Sequence, residues 1–284
     1  MNIDHLMVDA IDMHVHGAPE PFEGQRRVDL FTLGKMAMDF GMKAMVIKSI
    51  RFGTGTLTLE INGLLKSSIL IGSLCLNYDA GGLNPDIVDA QGRAGAKVIW
   101  LPTISAVRHM TTRGKGPGET KEGIDIIDKD GKVVPEMMKI LDVMRKNKQV
   151  LATGHISKPE VFAVVKEARR QGINVIVTHP LAGPAGPLIS LNEAKELADT
   201  GAFIECTFAH VMPPAIISPA DMAGYIKTIG PEHCILCTDF GQIFNPPSPE
   251  GFHMMLAIML MFGLSEEDLK LLTKVNPAKI LGLT

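Results

Sequence analysis

Short apolar runs rich in β-branched residues alternate along the chain with segments in which apolar residues recur every three or four positions. Apolar residues on both faces are typical of parallel strands covered by helices. The eight runs are AIDMHVH (10–16), AMVIKS (44–49), ILIGSLCLN (69–77), KVIWLPT (97–103), VLATGH (150–155), NVIVTHP (174–180), AFIECTF (202–208) and CILCTDFG (234–241).

The helical segments lie between and after these runs, and most end at or near Gly or Asn, a common helix stop. Eight alternating units in 284 residues predict an α/β fold, a closed (β/α)₈ TIM barrel forming a single domain over residues 1–284. An open, doubly wound sheet is the alternative. The chain lacks the glycine-rich nucleotide-binding motifs that would favour such a sheet, so the barrel is the preferred prediction.

One connection is unusually long. It follows the fourth strand and covers residues 104–136, a length typical of lids and binding loops. Within it, IDIIDKDGKVVP predicts a small hairpin that turns at Asp130-Gly131. We therefore expect a lid-like loop after strand 4.

Polar residues with useful chemistry stand at the ends of the predicted strands. In a barrel these ends form one rim, where the active site is built. The residues are His14 and His16 on strand 1, Lys48 on strand 2, His155 on strand 5, His179 on strand 6, Glu205 on strand 7 and Asp239 on strand 8.

The spacing of His14 and His16 has a structural meaning, because residues i and i+2 of a strand point to the same face. A single histidine at a strand end is more often structural than a metal ligand. Five potential ligands on one rim (His14, His16, His155, His179 and Asp239) indicate a metal site. Imidazole and carboxylate suit zinc, the preferred ion, with manganese or iron as alternatives.

The same residues resemble the amidohydrolase superfamily of metal-dependent hydrolases, and most closely an uncharacterised branch of it. The resemblance covers nearly the whole chain. It rests on DMHVHG, ATGH, VTHP, CTDFGQ and the closing NPAKILGL, in that order.

The resemblance implies roles for individual residues. His14, His16 and Asp239 would ligate the metal and His155 would complete the set. His179 would bind a second ion or contact the substrate. Asp239 would also accept a proton from the attacking water, and His179 would stabilise charge on a carbonyl oxygen.

The fourth strand departs from the two-metal members of the superfamily, which usually carry a bridging Lys or Glu there. Here the strand ends in WLPT (100–103), which offers no such ligand. One ion is therefore favoured over two, unless Lys48 or Glu205 supplies a bridge. These two residues could instead form an ion pair across the barrel mouth.

Three functions remain open. The leading hypothesis is a hydrolase whose metal-activated water attacks an amide, cyclic amide, lactone or ester of a small molecule. A mononuclear, non-hydrolytic decarboxylase of a small aromatic or unsaturated acid is the second, and a non-catalytic metal-binding barrel the third. Arg108 and His109, on the long loop, are the preferred substrate-binding residues.

The composition of the chain limits the classes of binding partner that we expect. A net charge of −3 provides no field that would recruit nucleic acid or a membrane surface, so the expected partner is a small-molecule substrate. The apolar segment from Phe252 to Leu264 is shorter than the roughly 20 residues of a membrane span and indicates a buried helix, with homo-oligomer formation as an option. Four cysteines in apolar runs and the lack of a secretion signal predict a cytoplasmic location. Cys234 and Cys237, three apart on a strand, should face opposite ways, which argues against a redox dithiol.

Overall fold

A ring of parallel strands forms the centre of the computed structural model, which describes residues 3–20, 25–115, 121–181, 183 and 185–283. The strands follow one another around the ring in sequence order. They are β1 (Ile11–Val15), β2 (Ala44–Ile47), β3 (Leu70–Cys75), β4 (Ala96–Trp100), β5 (Val150–Ala152), β6 (Val175–Val177), β7 (Phe203–Thr207) and β8 (Cys234–Cys237). All eight predicted strands are confirmed, each shorter than its apolar run.

Helices surround the ring. They are α1 (Asp4–Met7), α2 (Leu30–Asp39), α3 (Gly55–Leu65), α4 (Pro85–Arg93), α5 (Val107–Arg113), α6 (Pro135–Lys146), α7 (Lys158–Arg170), α8 (Leu191–Asp199), α9 (Pro219–Ile229), α10 (Ser248–Met261), α11 (Glu266–Lys270) and α12 (Asn276–Leu281). A π-helical turn over Leu271–Val275 joins the last two.

Local sequence explains where several helices begin. Asp29 caps α2 by accepting a hydrogen bond from Thr32 N, and Ser190 with Glu193 forms a capping box at α8. Proline occupies the first turn of α4, α6 and α9, where no amide donor is needed. The short helices α1 and α5 lack such signals and were not predicted.

The ring closes between β1 and β8. The Asp239 amide donates to the His14 carbonyl at 2.8 Å, and the His16 amide donates to the Phe240 carbonyl at 2.7 Å. This closure confirms the (β/α)₈ barrel and excludes the open sheet. The residues that close the ring are those expected to bind the metal.

Two apolar layers hold the fold together. An inner cluster fills the barrel with alternate strand residues such as Met13, Trp100 and Cys237, and an outer cluster, which includes Cys234, packs the strands against the helices. Cys234 and Cys237 therefore face opposite sides of β8, as their spacing predicts. All four cysteines are free and buried.

The connection after β4 contains regular secondary structure. It contains α5, and an antiparallel bridge between Ile127 and Val133 forms the predicted hairpin. Gly131, at the turn, has a φ of +76°, which glycine adopts without steric cost. Residues 116–120 of this connection lie outside the described part of the chain. No helix in the described part is both long and apolar enough to cross a membrane.

Candidate metal centre and substrate cavity

Three potential ligands meet where the ring closes. His14 Nε2 lies 3.1 Å and His16 Nε2 lies 3.2 Å from the same oxygen, Oδ1 of Asp239. The three ligand atoms lie within 4.8 Å of one another. Two imidazole nitrogens and one carboxylate oxygen at this separation form a donor set that suits a divalent transition metal.

An irregularity in β1 lets both histidines face the barrel interior. Ile11 and Met13 already point inward, so strict alternation would turn His14 outward. The pairing with β2 shifts by one residue between Asp12 and Val15, which marks a β-bulge. The bulge turns His14 and His16 inward together, a common use of bulges near active sites.

Asp12 fastens this part of β1 to β8 and to the start of α10. One carboxylate oxygen accepts hydrogen bonds from the backbone amides of His14 and Thr238, and the other accepts from the Thr238 and Ser248 hydroxyls. Burial raises the pKa of Asp12 to about 6, although the bonds from Thr238 and Ser248 oppose the rise. Asp12 therefore holds the backbone on which His14 and Asp239 sit.

Glu205 orients His14 from behind. Its Oε1 lies 3.2 Å from His14 Nδ1, and its Oε2 accepts the backbone amide of His179 at 2.9 Å. An ionised carboxylate at Nδ1 favours the tautomer with its proton there, which leaves the Nε2 lone pair for a metal. Glu205 thus contacts one candidate ligand, His14, and positions its ring.

Lys48 approaches His14 from the opposite side. Its Nζ lies 3.0 Å from His14 Nε2 and 5.1 Å from the centroid of the Trp100 ring. His14 stands between the Lys48 amine and the Glu205 carboxylate, each of which contacts a different ring nitrogen. The two charged side chains are thus joined through an imidazole instead of forming the direct ion pair considered above.

The environment keeps the histidines neutral and Asp239 ionised. Burial lowers the pKa of His14 and of His16 to about 3. Burial by itself would raise the pKa of Asp239, but the adjacent His14 and His16 hold it well below its usual range. Neutral imidazole and ionised carboxylate are the forms that bind metals.

His155 and His179 lie beside this centre as part of a row of imidazole rings. The ring centroids of His155 and His179 are 5.0 Å apart, and those of His14 and His179 are 6.0 Å apart. Neither His155 nor His179 shares a three-ligand group with Asp239 in the described part of the chain. His155 instead places its Nδ1 2.9 Å from Nδ1 of His109.

Residues that follow three of the strands have left-handed backbone conformations next to the cavity. His179 has a φ of +26° and Asp239 a φ of +56°, a region that costs a non-glycine residue about 1–3 kcal/mol. Gly154 has a φ of +61° just before His155, and a β-carbon there would collide with the Leu101 carbonyl. Such strain is typical of residues held for function.

The end of β4 contributes no ligand. Trp100 is buried in the inner cluster, and Thr103 exchanges hydrogen bonds of 2.8 Å with the Asn77 side chain. In the described part of the chain, the other three-ligand group is His14, Glu205 and Cys237, which shares His14 with the first. Burial raises the pKa of Cys237 well above its usual value, which disfavours the thiolate that a metal would need.

A cavity of about 420 Å³ opens above these residues. His16, Lys48, His155, His179 and Asp239 line its floor. Of the two predicted substrate-binding residues, His109 lines the cavity, whereas Arg108 is outside its lining and donates from Nε to the Gly186 carbonyl at 2.9 Å. Arg108 therefore anchors α5.

Three residues at this site were not singled out from the sequence, namely Asp12, His210 and Arg113. His210 follows β7, lines the cavity and places its ring 5.4 Å from that of His179. A search for histidines shortly after every strand would have found it. Asp12 and Arg113 carry no such signal, because their importance depends on contacts with distant elements.

Solved structures share this fold. An amidohydrolase from Pseudomonas aeruginosa has 14% sequence identity and a TM-score of 0.65 over 98% of this chain and 97% of that one. A putative 2-pyrone-4,6-dicarboxylic acid hydrolase from Pseudomonas putida has 13% identity and a TM-score of 0.60 over 97% and 98%. A 2,6-dihydroxybenzoate decarboxylase from Rhizobium has 12% identity and a TM-score of 0.55 over 97% and 99%.

At these identities the likeness establishes a common fold. No curated protein matches the chain. Residues 9–205, which include His14, Lys48 and Glu205, match a family of unknown function, DUF6282. As this match covers more than half of the chain, the protein belongs to the DUF6282 family.

Proposed function

We propose that this protein is a metal-dependent hydrolase in which activated water attacks an amide, cyclic amide, lactone or ester of a small molecule. The observation that carries the proposal is the meeting of His14 Nε2 and His16 Nε2 at one Asp239 oxygen on the floor of the cavity. The amidohydrolase and the pyrone dicarboxylic acid hydrolase with this fold support the same reaction class.

The residues fit a metal by their chemistry. His14, His16 and Asp239 would hold the ion, with His179 and His155 as nearby further ligands. Nδ1 of His179 is buried and makes no hydrogen bond within the described part of the chain, so it retains a lone pair for a ligand. When bound, a divalent transition metal acidifies water to a pKa of about 7 and polarises a carbonyl oxygen.

The chain's own groups then handle protons and charge. Asp239 is ionised at neutral pH, so its carboxylate can accept the proton of the attacking water and pass it to the leaving group. His179, whose pKa burial lowers to about 3, is neutral and can donate an N–H hydrogen bond to the carbonyl oxygen as negative charge develops there. Glu205 keeps His14 in the required tautomer.

We propose one ion, with zinc preferred and manganese or iron as alternatives. His16 and Asp239 line the cavity and form one compact group of three ligands with the buried His14, and β4 supplies no bridging residue. A site with two histidines and one carboxylate is common for catalytic zinc and also occurs for non-haem iron.

Elemental analysis tests the metal directly. We expect about one transition-metal ion per chain in protein supplemented with zinc, manganese or iron, and we expect H14A/H16A to lose that ion. The control is H5A/H253A, because His5 and His253 lie outside the cavity lining and pair with Glu266 and Asp4. Equal metal content in the two double variants would rule out the proposed centre.

A non-hydrolytic decarboxylase is the second candidate, favoured by the lack of a bridging ligand at β4 and by the decarboxylase with the same fold. Lactones, cyclic amides, esters and aromatic acids should be screened in ¹⁸O-labelled water, with carbon dioxide recorded. Product that contains ¹⁸O supports hydrolysis. Release of carbon dioxide without ¹⁸O in the product would instead support decarboxylation. Metal binding with no turnover would favour a non-catalytic barrel.

A further inference from the structure

The charged residues that line the cavity are mostly cationic. They are Arg26, Lys48 and Arg113, and Asp239 is the acidic residue among the described lining residues. Asp239 is already engaged with His14 and His16. Among the described side chains that line the cavity, cationic groups therefore outnumber acidic ones.

We propose that the substrate is a small organic carboxylate, whose negative charge is balanced by this cationic lining of Arg26, Lys48 and Arg113. The inference rests on the proposed function for the reaction. It concerns which molecules enter the cavity, and it can be tested without turnover.

Arg26 is held firmly in place. Only 9% of its side chain is exposed, and one guanidinium nitrogen lies 3.5 Å from Oε2 of Glu20. Glu20 in turn accepts hydrogen bonds from the Ser49 hydroxyl at 2.7 Å and from the Ile50 amide at 3.2 Å. Glu20 thus holds the planar guanidinium at the cavity wall, where its charge and shape suit a carboxylate.

Arg113 provides charge from the other side of the ring. It ends α5, which follows β4, whereas Arg26 follows β1 and pairs through its backbone with Gln242 after β8. β4 and β8 are opposite in the ring. The two arginines therefore reach the cavity from connections that follow different strands of the ring.

The other side chains that line the cavity favour a substrate with an apolar organic part. Apolar side chains line much of the cavity, among them Ile50, Ile104, Pro213, Ile216 and Phe244. A volume of about 420 Å³ is within the range of small-molecule sites. A carboxylate attached to a ring or a short apolar chain can contact both the cationic and the apolar side chains of the lining. Inorganic phosphate has no apolar part to contact the latter.

Calorimetric titration with benzoate, benzamide and inorganic phosphate tests the inference. The full chain is measured once after metal supplementation and once after chelation, with metal content recorded for both samples. We expect benzoate to bind at least about tenfold more tightly than benzamide in both samples, since a charge-assisted bidentate contact replaces a neutral one. Tighter binding of phosphate than of benzoate would overturn the organic carboxylate.

Variants locate the contact. R113Q removes an exposed charge, whereas R26K keeps the charge but loses the planar guanidinium group. We expect each variant to weaken benzoate binding about threefold to tenfold. The matched control is K129Q, an exposed lysine in the hairpin outside the cavity lining. Thermal melts check that the variants are folded.

Three results would overturn the inference: equal binding of benzoate and benzamide, absence of binding by benzoate, or no difference between K129Q and the two arginine variants. The inference is also overturned if benzoate binds only after metal supplementation and its affinity is the same in R113Q, R26K and the unsubstituted protein, because the metal alone would then explain the affinity. Failure of the metal proposal gives a different result, namely a sample that takes up no ion but still prefers benzoate.

Discussion

At the scale of single residues, the site depends on groups that hold the candidate ligands as much as on the ligands. Glu205 contacts His14 at Nδ1 and Asp12 accepts a hydrogen bond from its backbone amide, whereas Lys48 lies at Nε2, the atom that would bind the metal. A ligand held from several sides loses little conformational freedom when a metal binds. The sequence identified His14 as a ligand, but its contacts come from strands far apart in the chain.

Glu205→Gln tests this positioning role. The amide offers one carbonyl oxygen where the carboxylate offered two, so the contacts to His14 Nδ1 and His179 N cannot both be kept as they are. We expect metal affinity to fall about 10- to 100-fold, as is usual when a metal ligand loses its supporting partner. Titration against a competing chelator measures the affinity.

The control is Glu196→Gln, an exposed site on α8. Because the amide leaves a buried donor of His14 or His179 without its acceptor, some loss of stability is also expected, and the melting temperatures of the metal-free variants are measured to show that both are folded. Equal metal affinity of the two variants would contradict the role of Glu205.

At the scale of elements, α5 is a short helix that depends on its neighbours. Its seven residues are fewer than the roughly 12–15 that an isolated helix needs for stability. Arg108 binds the Gly186 carbonyl and His109 pairs with His155, so two side chains tie the helix over the cavity. Their contacts explain why an apparent loop in the sequence contains a helix.

Arg108→Ala should loosen α5. We expect backbone amides of Val107–Arg113 to exchange with deuterium at least several-fold faster, because the anchor to Gly186 is lost, while α6 is unchanged. Mass spectrometry of peptides measures this exchange. Arg113→Gln, on the same helix but exposed, is the control. Similar exchange in the two variants would show that Arg108 does not anchor α5.

At the scale of the whole molecule, neutral buried histidines link folding to pH. Burial lowers the pKa values of His14, His16 and His179 from 6.5 to about 3, so between these values the unfolded chain binds protons that the folded chain does not. The free energy of unfolding therefore falls as pH drops below about 6.5. Asp12, whose pKa is raised to about 6, and Glu205 act in the opposite direction but are fewer.

We accordingly expect the chelator-treated protein to be less stable at pH 5.5 than at pH 7, by about 1.4 kcal/mol per pH unit for each net proton. Urea unfolding at several pH values measures the slope. His16→Gln should make the slope shallower, because one such imidazole is removed, and the control is Lys129→Gln, at an exposed position. Stability that is constant or higher at pH 5.5 would contradict the expectation.

The sequence by itself determined the eight strand–helix units, the barrel and the candidate ligands at the strand ends, because burial on both faces and the choice of His and Asp are visible residue by residue. It also brought His14 and His16 to one face through their spacing. These inferences need only local periodicity and the rule that parallel strands end at one rim.

Only the tertiary structure decided how the side chains are aimed. Alternation along β1 would have turned His14 outward, and a bulge set by pairing with β2 reverses it. The left-handed backbone at His179 and Asp239 is imposed by the surrounding ring, which no local preference of these residues predicts. The partners Asp12, Glu205 and Lys48 are likewise selected by ring closure, because contacts between distant strands do not follow from spacing along the chain.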